Sequence, residues 1–398
     1  MPTRTGRFRR TEPPGAEAAA DAVEIIRLLA SEIGPRRSCS AAEERAGQAL
    51  VGWLEERGVE ADLQRFLGYS SFAHPYAAIF STVLAGGFLH RRGRAIGSAL
   101  NAAALAALAL EGDLRITPVS DLLSRRPSVN VVASVPPRGD ERARVCLCGH
   151  LDSTRSGLMF HPTAQKQLPL LLALPGTSAA LTAAAPLLPS RWQRPAHAIG
   201  TVGLVLSLAL LFERELRGQD VPGANDNASG TGVACQLFTQ YAARPLENTR
   251  VDLLLTGCEE SGLLGSQAYI RSDPERARGT TFVNFDTVGG DVPLTFVLRE
   301  GAAVKRHASA RLVAMLERIG RDRPELGLRP SSATAGLPTD ATPALARGFE
   351  AVTLLARGDV IPNYHWPTDT YENVEPTTVA RAVETGRELL RAIDAEAA

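Results

Sequence analysis

Strand-like and helix-like patterns alternate along most of the chain, and this alternation constrains the fold more than any other feature. Segments 19–34 and 41–58 place apolar residues three and four positions apart, as amphipathic helices do. Segments typical of strands lie at 59–66, 128–136, 144–150, 250–260, 280–289 and 349–356. We therefore predict an α/β fold, a three-layer sandwich of helices around a central mixed, mostly parallel sheet.

Two apolar segments, 73–110 and 166–213, interrupt this pattern. Each consists of two uncharged runs around a short turn that contains arginine, which is typical of a helical hairpin. A membrane-spanning helix needs about 20 apolar residues; the runs of the second segment reach that length and those of the first are borderline. Their many small residues suit both a bilayer and a soluble core. Two interpretations therefore stay open, membrane-embedded hairpins and a soluble cap or oligomer interface.

The predicted domain organisation is a flexible tail at 1–18 and a single domain at 19–398 that the two hairpins interrupt. The tail is rich in arginine and proline and has no apolar region behind it, so we expect no secretory signal peptide. By the positive-inside rule, the arginines of the hairpin turns place those turns in the cytoplasm. The tail arginines conflict with that topology: Arg4, Arg7, Arg9 and Arg10. We expect a membrane-associated protein of undetermined orientation, and a cytoplasmic one if the hairpins do not insert.

Charge and cysteine content exclude several classes of protein. Lysine plus arginine and aspartate plus glutamate both number 43, and no basic stripe is present, which argues against a nucleic-acid partner. Five cysteines without regular spacing do not form a disulfide framework. We expect them to be buried free thiols rather than zinc ligands.

Histidines and carboxylates stand at the ends of the strand segments and in the loops that follow them. Open α/β sheets place their ligand sites at such strand ends. Taken singly, an aspartate there usually caps a turn and a histidine is usually structural, but their grouping at five motifs predicts a site. The candidate residues are His150, Asp152, Asp226, Glu259, Glu260, Asp286 and His365.

Imidazole and carboxylate groups without a thiolate suit zinc in a hydrolytic site, and manganese or cobalt would also suit them. Two ions need one shared carboxylate and further ligands on each side, for which five side chains suffice. Adjacent side chains at a strand end point in opposite directions. One of Glu259 and Glu260 is therefore expected to bind metal and the other to act as general base. Asp152 is expected to accept the imidazole N–H of His150 and to fix its tautomer.

The motifs that carry these residues resemble, in the same order, those of the di-zinc aminopeptidases of the bacterial leucyl aminopeptidase and aminopeptidase Y type. That family also contains carboxypeptidase-like members and glutaminyl cyclases. The matching stretches are GHLDS, GANDNASGTG, TGCEESGLLGS, NFDTVG and YHWPTDTYENV. In the family the first two motifs are usually close together, whereas here the second hairpin separates Asp152 from Asp226. We expect this insertion to cap the pocket, to restrict substrate size or to anchor the protein beside a bilayer.

The resemblance implies a role for each candidate residue. His150 and Asp286 would hold one zinc ion, Glu260 and His365 the other, and Asp226 would bridge the two ions. Glu259 would be the general base, Asp152 would orient His150, and Tyr364 would donate a hydrogen bond to the oxyanion.

The predicted function is that of a zinc-dependent exopeptidase, an aminopeptidase that hydrolyses N-terminal residues from peptides. A single-zinc acyltransferase similar to the glutaminyl cyclases is the alternative enzyme. A catalytically inactive membrane receptor or scaffold is the alternative outside enzymes. Carboxypeptidase or dipeptidase action, the preferred substrate residue and the oligomeric state stay open.

Overall fold

The computed structural model describes residues 14–93, 95–331 and 337–398. Eight strands of this part form one sheet, and two short strands form a separate ribbon. In chain order the strands are β1 (Ala61–Gly68), β2 (Arg126–Val135), β3 (Ala143–His150), β4 (Thr249–Thr256), β5 (Thr281–Asp286), β6 (Leu294–Val297), β7 (Arg299–Glu300), β8 (Arg306–His307), β9 (Arg329–Ser331) and β10 (Ala351–Ala356).

The order of strands across the sheet is β1-β2-β4-β3-β5-β10-β6-β9. The four central strands β4, β3, β5 and β10 run parallel, whereas β2 and β6 join them antiparallel on either side. The predicted α/β class with a mixed, mostly parallel sheet is therefore confirmed. Because parallel neighbours end at the same edge, the sheet aligns the carboxyl ends of β3, β4 and β5.

Helices surround the sheet, and a few shorter turns extend or connect them. In chain order the helices are α1 (Ala20–Arg27), α2 (Ala41–Glu55), α3 (Ala73–Arg91), α4 (Ala95–Asp113), α5 (Pro118–Leu123), α6 (Leu168–Ala184), α7 (Ser190–Arg217), α8 (Gly230–Ala243), α9 (Glu259–Gly262), α10 (Leu264–Ser272), α11 (Pro274–Arg278), α12 (Ala310–Asp322), α13 (Thr342–Ala346) and α14 (Pro376–Glu396). The helices predicted within 19–34 and 41–58 are thus present. The predicted tail at 1–18 lies mostly outside the described residues, and its end enters the turn Ala16–Ala19.

Alternate side chains of β3 point to opposite faces of the sheet, and helices pack on both faces. Val145 and Leu147 pack into a large core with side chains of α1, α8, α12 and α14. Cys146 and Cys148 point to the opposite face and pack with side chains of α10, α11 and α13. Each fully buried aliphatic side chain of this kind contributes about 1.5–3 kcal/mol. Apolar runs that are buried on both faces are typical of parallel central strands.

The two predicted hairpins are present as the helix pairs α3–α4 and α6–α7, and their helices extend past the predicted ends to Asp113 and Arg217. The four helices pack around one small apolar cluster, which includes Val83, Ala179 and Leu204. In the described part of the chain, three stretches are long and apolar enough to cross a membrane: Ala95–Asp113, Pro162–Leu187 and Ser190–Arg217. Large apolar side chains also face outward, since Leu170 is 71% exposed and Val202 is 67% exposed.

The chain enters and leaves the second hairpin through a narrow neck. Arg155 and Asp220 form an antiparallel bridge. The backbone N–H of Val221 donates to the carbonyl of Thr154 at 2.9 Å, and that of Ser156 donates to the carbonyl of Gln219 at 2.9 Å. The two ends of the insertion are therefore held side by side next to the sheet.

Candidate metal centre

The carboxyl edge of the sheet brings the candidate residues together. His150 is the last residue of β3 and Asp286 is the last residue of β5. The next strand in the sheet, β4, leads directly into α9, which begins with Glu259 and Glu260. Two loops supply the rest: Asp226 lies in the turn Ala224–Ser229 before α8, and His365 lies in the loop after β10.

Asp226 lies between the two histidines. Its Oδ1 is 3.2 Å from Nε2 of His150, and its Oδ2 is 3.1 Å from Nε2 of His365. Glu260 completes one side, because its Oε2 is 3.3 Å from Nε2 of His365. The edges of a tetrahedron around zinc measure about 3.3–3.5 Å when the ligand bonds are about 2.0–2.2 Å. The distances at Asp226 are close to that spacing.

Two groups of ligand atoms share Asp226, and the atoms of each lie within 4.8 Å of one another. One group is His150, Asp226 and Asp286, and the other is Asp226, Glu260 and His365. Glu259 belongs to neither, although it forms a third group with His150 and Glu260. The structure thus brings all five predicted ligands together in the two sets that the resemblance implies, while their roles as ligands stay predictions.

The electrostatics of this cluster fit a bound cation. Burial, together with the charge of Asp226, raises the pKa of Asp286 to about 8. Burial also raises the pKa of Glu259 well above its usual value. In addition, Oε1 of Glu260 and Nδ1 of His365 are buried without a hydrogen-bond partner among the described residues. A divalent cation would offset the repulsion between these carboxylates, and the Oε1 atom of Glu260 could bind it.

Asp152 holds the two glutamates by their backbone. Its Oδ1 accepts the N–H of Glu259 at 3.1 Å, and its Oδ2 accepts the N–H of Glu260 at 3.2 Å. The hydroxyl of Ser38 donates to the same Oδ2 at 2.6 Å. For His150, the nearer acceptor to Nδ1 is the backbone carbonyl of Asp152 at 3.0 Å, and the carboxylate Oδ1 lies 3.5 Å away. Asp152 therefore contacts His150 mainly through its main chain, whereas its carboxylate fixes the start of α9.

The two glutamates differ from the expectation for a strand end. Strand β4 stops at Thr256, and Cys258 adopts a left-handed backbone conformation with φ of 55°. The chain then turns into α9, and both carboxylates come near His150. The prediction that they point in opposite directions is therefore wrong, because the pair belongs to a helical turn and not to a strand.

Asp369 is a site residue that the sequence analysis missed. Its Oδ1 accepts the N–H of Asn225 at 2.7 Å, and its Oδ2 accepts the N–H of Asp226 at 3.0 Å. Burial raises the pKa of Asp369 to about 7. It lies in the same loop as His365, so it ties together two of the loops that form the centre. Its place in the stretch YHWPTDTYENV, four positions after His365, is the signal that could have identified it.

Arg36 was also missed, and it joins the strand edge to the loop before Asp226. Its buried guanidinium donates to the carbonyl of Leu151 at 2.8 Å, of Pro222 at 2.6 Å and of Gly223 at 3.0 Å. Burial lowers the pKa of Arg36 to about 10. Such a fully buried arginine needs these acceptors, and they in turn hold the backbone around the centre in place.

Tyr364 and the insertion form an aromatic wall beside His365. The Tyr364 ring stacks on the His365 ring with centroids 3.8 Å apart, and Phe160 contacts His365 edge to face at 4.3 Å. Phe160 precedes the second hairpin and packs with Met159 and Leu168. Burial raises the pKa of Tyr364 well above its usual value, so its hydroxyl keeps its proton at neutral pH. The insertion therefore reaches the candidate centre directly.

Comparison with known proteins shows that part of the chain is similar in sequence to peptidases. The model of peptidase family M28 matches residues 206–390, a range that includes every candidate ligand except His150. The aminopeptidase YwaD of Bacillus subtilis is 29% identical over 171 residues, which cover 40% of this chain and 35% of that protein. The probable lipoprotein aminopeptidase LpqL of Mycobacterium tuberculosis is 28% identical over 185 residues, which cover 40% and 37%. The match thus spans little more than a third of these relatives.

Solved structures share the fold over nearly the whole chain. BSAP, a zinc aminopeptidase from Bacillus subtilis, superposes with a TM-score of 0.56 at 14% identity and covers 94% of this chain and 95% of its own. A glutaminyl cyclase from an Acidobacteriales bacterium gives a TM-score of 0.57 at 13% identity and covers 97% and 98%. The resemblance inferred from the motifs is confirmed to this extent: residues 206–390, somewhat less than half of the chain, are similar to peptidase family M28.

Proposed function

We propose that the protein is a metal-dependent aminopeptidase that removes N-terminal residues from short peptides at a centre of two zinc ions. The observation that carries this proposal is the position of Asp226. One of its carboxylate oxygens lies 3.2 Å from His150 and the other lies 3.1 Å from His365. A carboxylate that reaches two separate ligand groups is what a pair of ions about 3.5–4 Å apart requires.

In this proposal His150 and Asp286 hold one ion, Glu260 and His365 hold the other, and Asp226 is shared. Manganese or cobalt suits the same donors. The thiols of Cys146 and Cys148 pack on a face of the sheet among apolar side chains, so neither is a ligand in this proposal. This supports a site built from imidazole and carboxylate groups.

Glu259 is the proposed general base. When bound, zinc would polarise the scissile carbonyl and make a water molecule easier to deprotonate. Glu259 takes a proton from the attacking water and delivers it to the leaving amine. Its absence from both groups at Asp226 supports this role, because its carboxylate is not needed as a ligand there. The two N–H bonds to Asp152 keep Glu259 and Glu260 in fixed relative positions.

Tyr364 is the proposed donor to the oxyanion that forms on the scissile carbonyl. A donor aimed at the developing charge contributes about 2.7–4 kcal/mol to catalysis. The stacking of its ring on His365 supports this assignment, since it keeps the phenol beside the centre.

We also propose that the helical hairpins hold the enzyme at a lipid bilayer. Three helical stretches are long and apolar enough to cross a membrane, and the side chains of Leu170 and Val202 face outward. Both observations support this placement. Because Phe160 joins the second hairpin to His365, peptides would then be cleaved close to the bilayer surface.

Metal analysis combined with hydrolysis of aminoacyl p-nitroanilides tests the proposal. We expect two zinc ions per chain, hydrolysis that a chelator abolishes and zinc restores, and no cleavage when the substrate amine is acetylated. One ion per chain with cyclisation of N-terminal glutaminyl peptides would instead identify a glutaminyl cyclase. A chain that binds no metal and hydrolyses none of these substrates would contradict both enzymes.

A further inference from the structure

Two cysteines, Cys39 and Cys258, face each other next to the proposed general base. Both are free and buried thiols. Their Sγ atoms lie 3.3 Å apart although the residues are 219 positions apart in the chain. Cys258 immediately precedes Glu259, so one member of the pair is covalently adjacent to the proposed catalytic machinery.

One buried carboxylate holds both cysteines in place. Oε2 of Glu43 accepts the backbone N–H of Cys39 at 2.8 Å, and its Oε1 accepts that of Cys258 at 2.9 Å. Gly68 leaves room for the sulfurs, because a Cβ at that position would lie 3.0 Å from Sγ of Cys258 and 3.3 Å from Sγ of Cys39. The fold thus brings two thiols face to face and keeps the space around them clear.

We propose that Cys39 and Cys258 form a reversible disulfide that displaces the turn carrying Glu259 and Glu260 and thereby switches off hydrolysis. The bond requires the sulfurs to approach from 3.3 Å to about 2.05 Å, a movement of about 1.2 Å. A shift of the Cys258 backbone would alter the N–H bonds that the two glutamates after it make to Asp152. A misplacement of about 1 Å at an active site can lower the rate by about 10²-fold.

The oxidant for this step is a small disulfide such as glutathione disulfide. Cys39 is 8% exposed and Cys258 is fully buried, so Cys39 is the thiol that reacts first. It loses its proton, attacks one sulfur of the small disulfide and releases one thiol, leaving a mixed disulfide. Cys258 then loses its proton, attacks Sγ of Cys39 and releases the second thiol. One disulfide bond is broken, one is formed, and the oxidant is reduced to two thiols.

The test uses the full-length, zinc-loaded protein and glutathione disulfide. After alkylation of the remaining thiols, peptide mapping should detect one peptide pair joined through Cys39 and Cys258. It must be distinguished from a bond between Cys146 and Cys148, whose sulfurs lie 3.8 Å apart. Hydrolysis of leucine p-nitroanilide should fall about 10- to 100-fold and should return after a phosphine reductant.

Matched variants separate this bond from general oxidation. Cys39→Ser and Cys39→Ala should keep the basal rate and should not respond to the oxidant. Cys235→Ser removes a fully buried thiol of α8 and should respond as the parent does. Inhibition of the Cys39 variants equal to that of the parent would overturn the switch.

The effect on hydrolysis rests on the proposed function, whereas formation of the bond does not. An active enzyme in which no joined peptide forms overturns the inference. A joined peptide in a chain that hydrolyses none of the aminoacyl substrates overturns the proposed function and the switch with it.

Discussion

Oδ2 of Asp369 accepts the backbone N–H of Asp226 at 3.0 Å. This hydrogen bond connects the loop of His365 to the residue whose carboxylate lies between the two histidines. Asp369→Asn replaces one of the two accepting oxygens with an NH2 group, so one of the two backbone N–H groups then faces a donor. We expect zinc affinity to fall about 10- to 100-fold, as it does when groups that support metal ligands are lost. Competition with a chromophoric chelator measures this affinity. Asp359→Asn, at a side chain 90% exposed, is the control and should bind zinc as the parent does.

Substitution of the neighbouring glutamates should separate proton transfer from metal binding. Glu259→Gln keeps the size of the side chain but removes the base, so kcat should fall about 10²- to 10⁴-fold with two zinc ions still bound. Glu260→Gln removes a proposed ligand and should lower the zinc content. Steady-state kinetics and metal analysis of the same samples distinguish the two. Loss of zinc from the Glu259 variant would contradict the assigned roles.

Stability of the metal-free protein should fall as pH rises from about 4 to about 9. The pKa of Asp286 is raised from 3.8 to about 8 by burial and by Asp226. Burial opposes the charge on His365, but Glu260 and Asp226 outweigh it and raise its pKa from 6.5 to about 9. The folded protein therefore binds more protons than the unfolded chain between these values, and that stabilisation disappears as pH rises through the folded pKa values.

Zinc should bind more tightly as pH rises over the same range, because Asp286 and His365 must lose their protons to become ligands. The affinity should increase about tenfold per pH unit for each proton released. Calorimetric titration with zinc in buffers of different ionisation enthalpy measures the released protons. An affinity that is constant between pH 6 and pH 9 would be incompatible with these two ligands.

The outward-facing surface of the second hairpin should contact lipid. A lysine in place of Val202, a side chain 67% exposed, should weaken partition into vesicles because a charge at the centre of a bilayer costs about 2.5–3.5 kcal/mol. Glu55→Lys, on the exposed surface of α2, should leave partition unchanged. The measurement is flotation with phospholipid vesicles. A parent protein that stays monodisperse without detergent would contradict membrane insertion.

Local patterns were sufficient for the central strands and for the group of residues that lie together at the edge of the sheet. Strands such as β3 and β5 combine an apolar run with a polar residue at the edge, and that combination is visible in the sequence. Strands β6 and β9 are only four and three residues long and carry too few residues for a period of two to be recognised.

Contacts between distant segments account for what the sequence analysis missed. Asp369 is 143 positions from Asp226, and the acceptors of Arg36 at Pro222 and Gly223 are 186 and 187 positions away. No local pattern pairs such residues. The predicted directions of the Glu259 and Glu260 side chains were wrong for a related reason: at the left-handed turn, the N–H of Cys258 donates to Glu43, which lies 215 positions away.

The neck at Thr154–Ser156 and Gln219–Val221 also bears on how the chain could have acquired its second hairpin. Because the backbone bonds close this neck, the sheet receives two chain ends at a constant spacing, whatever length of polypeptide lies beyond them. Long loops closed in this way cost little additional entropy. A hairpin of a different length can therefore lie between the same two chain ends while His150 and Asp226 keep their separation, which makes the insertion a structurally replaceable part.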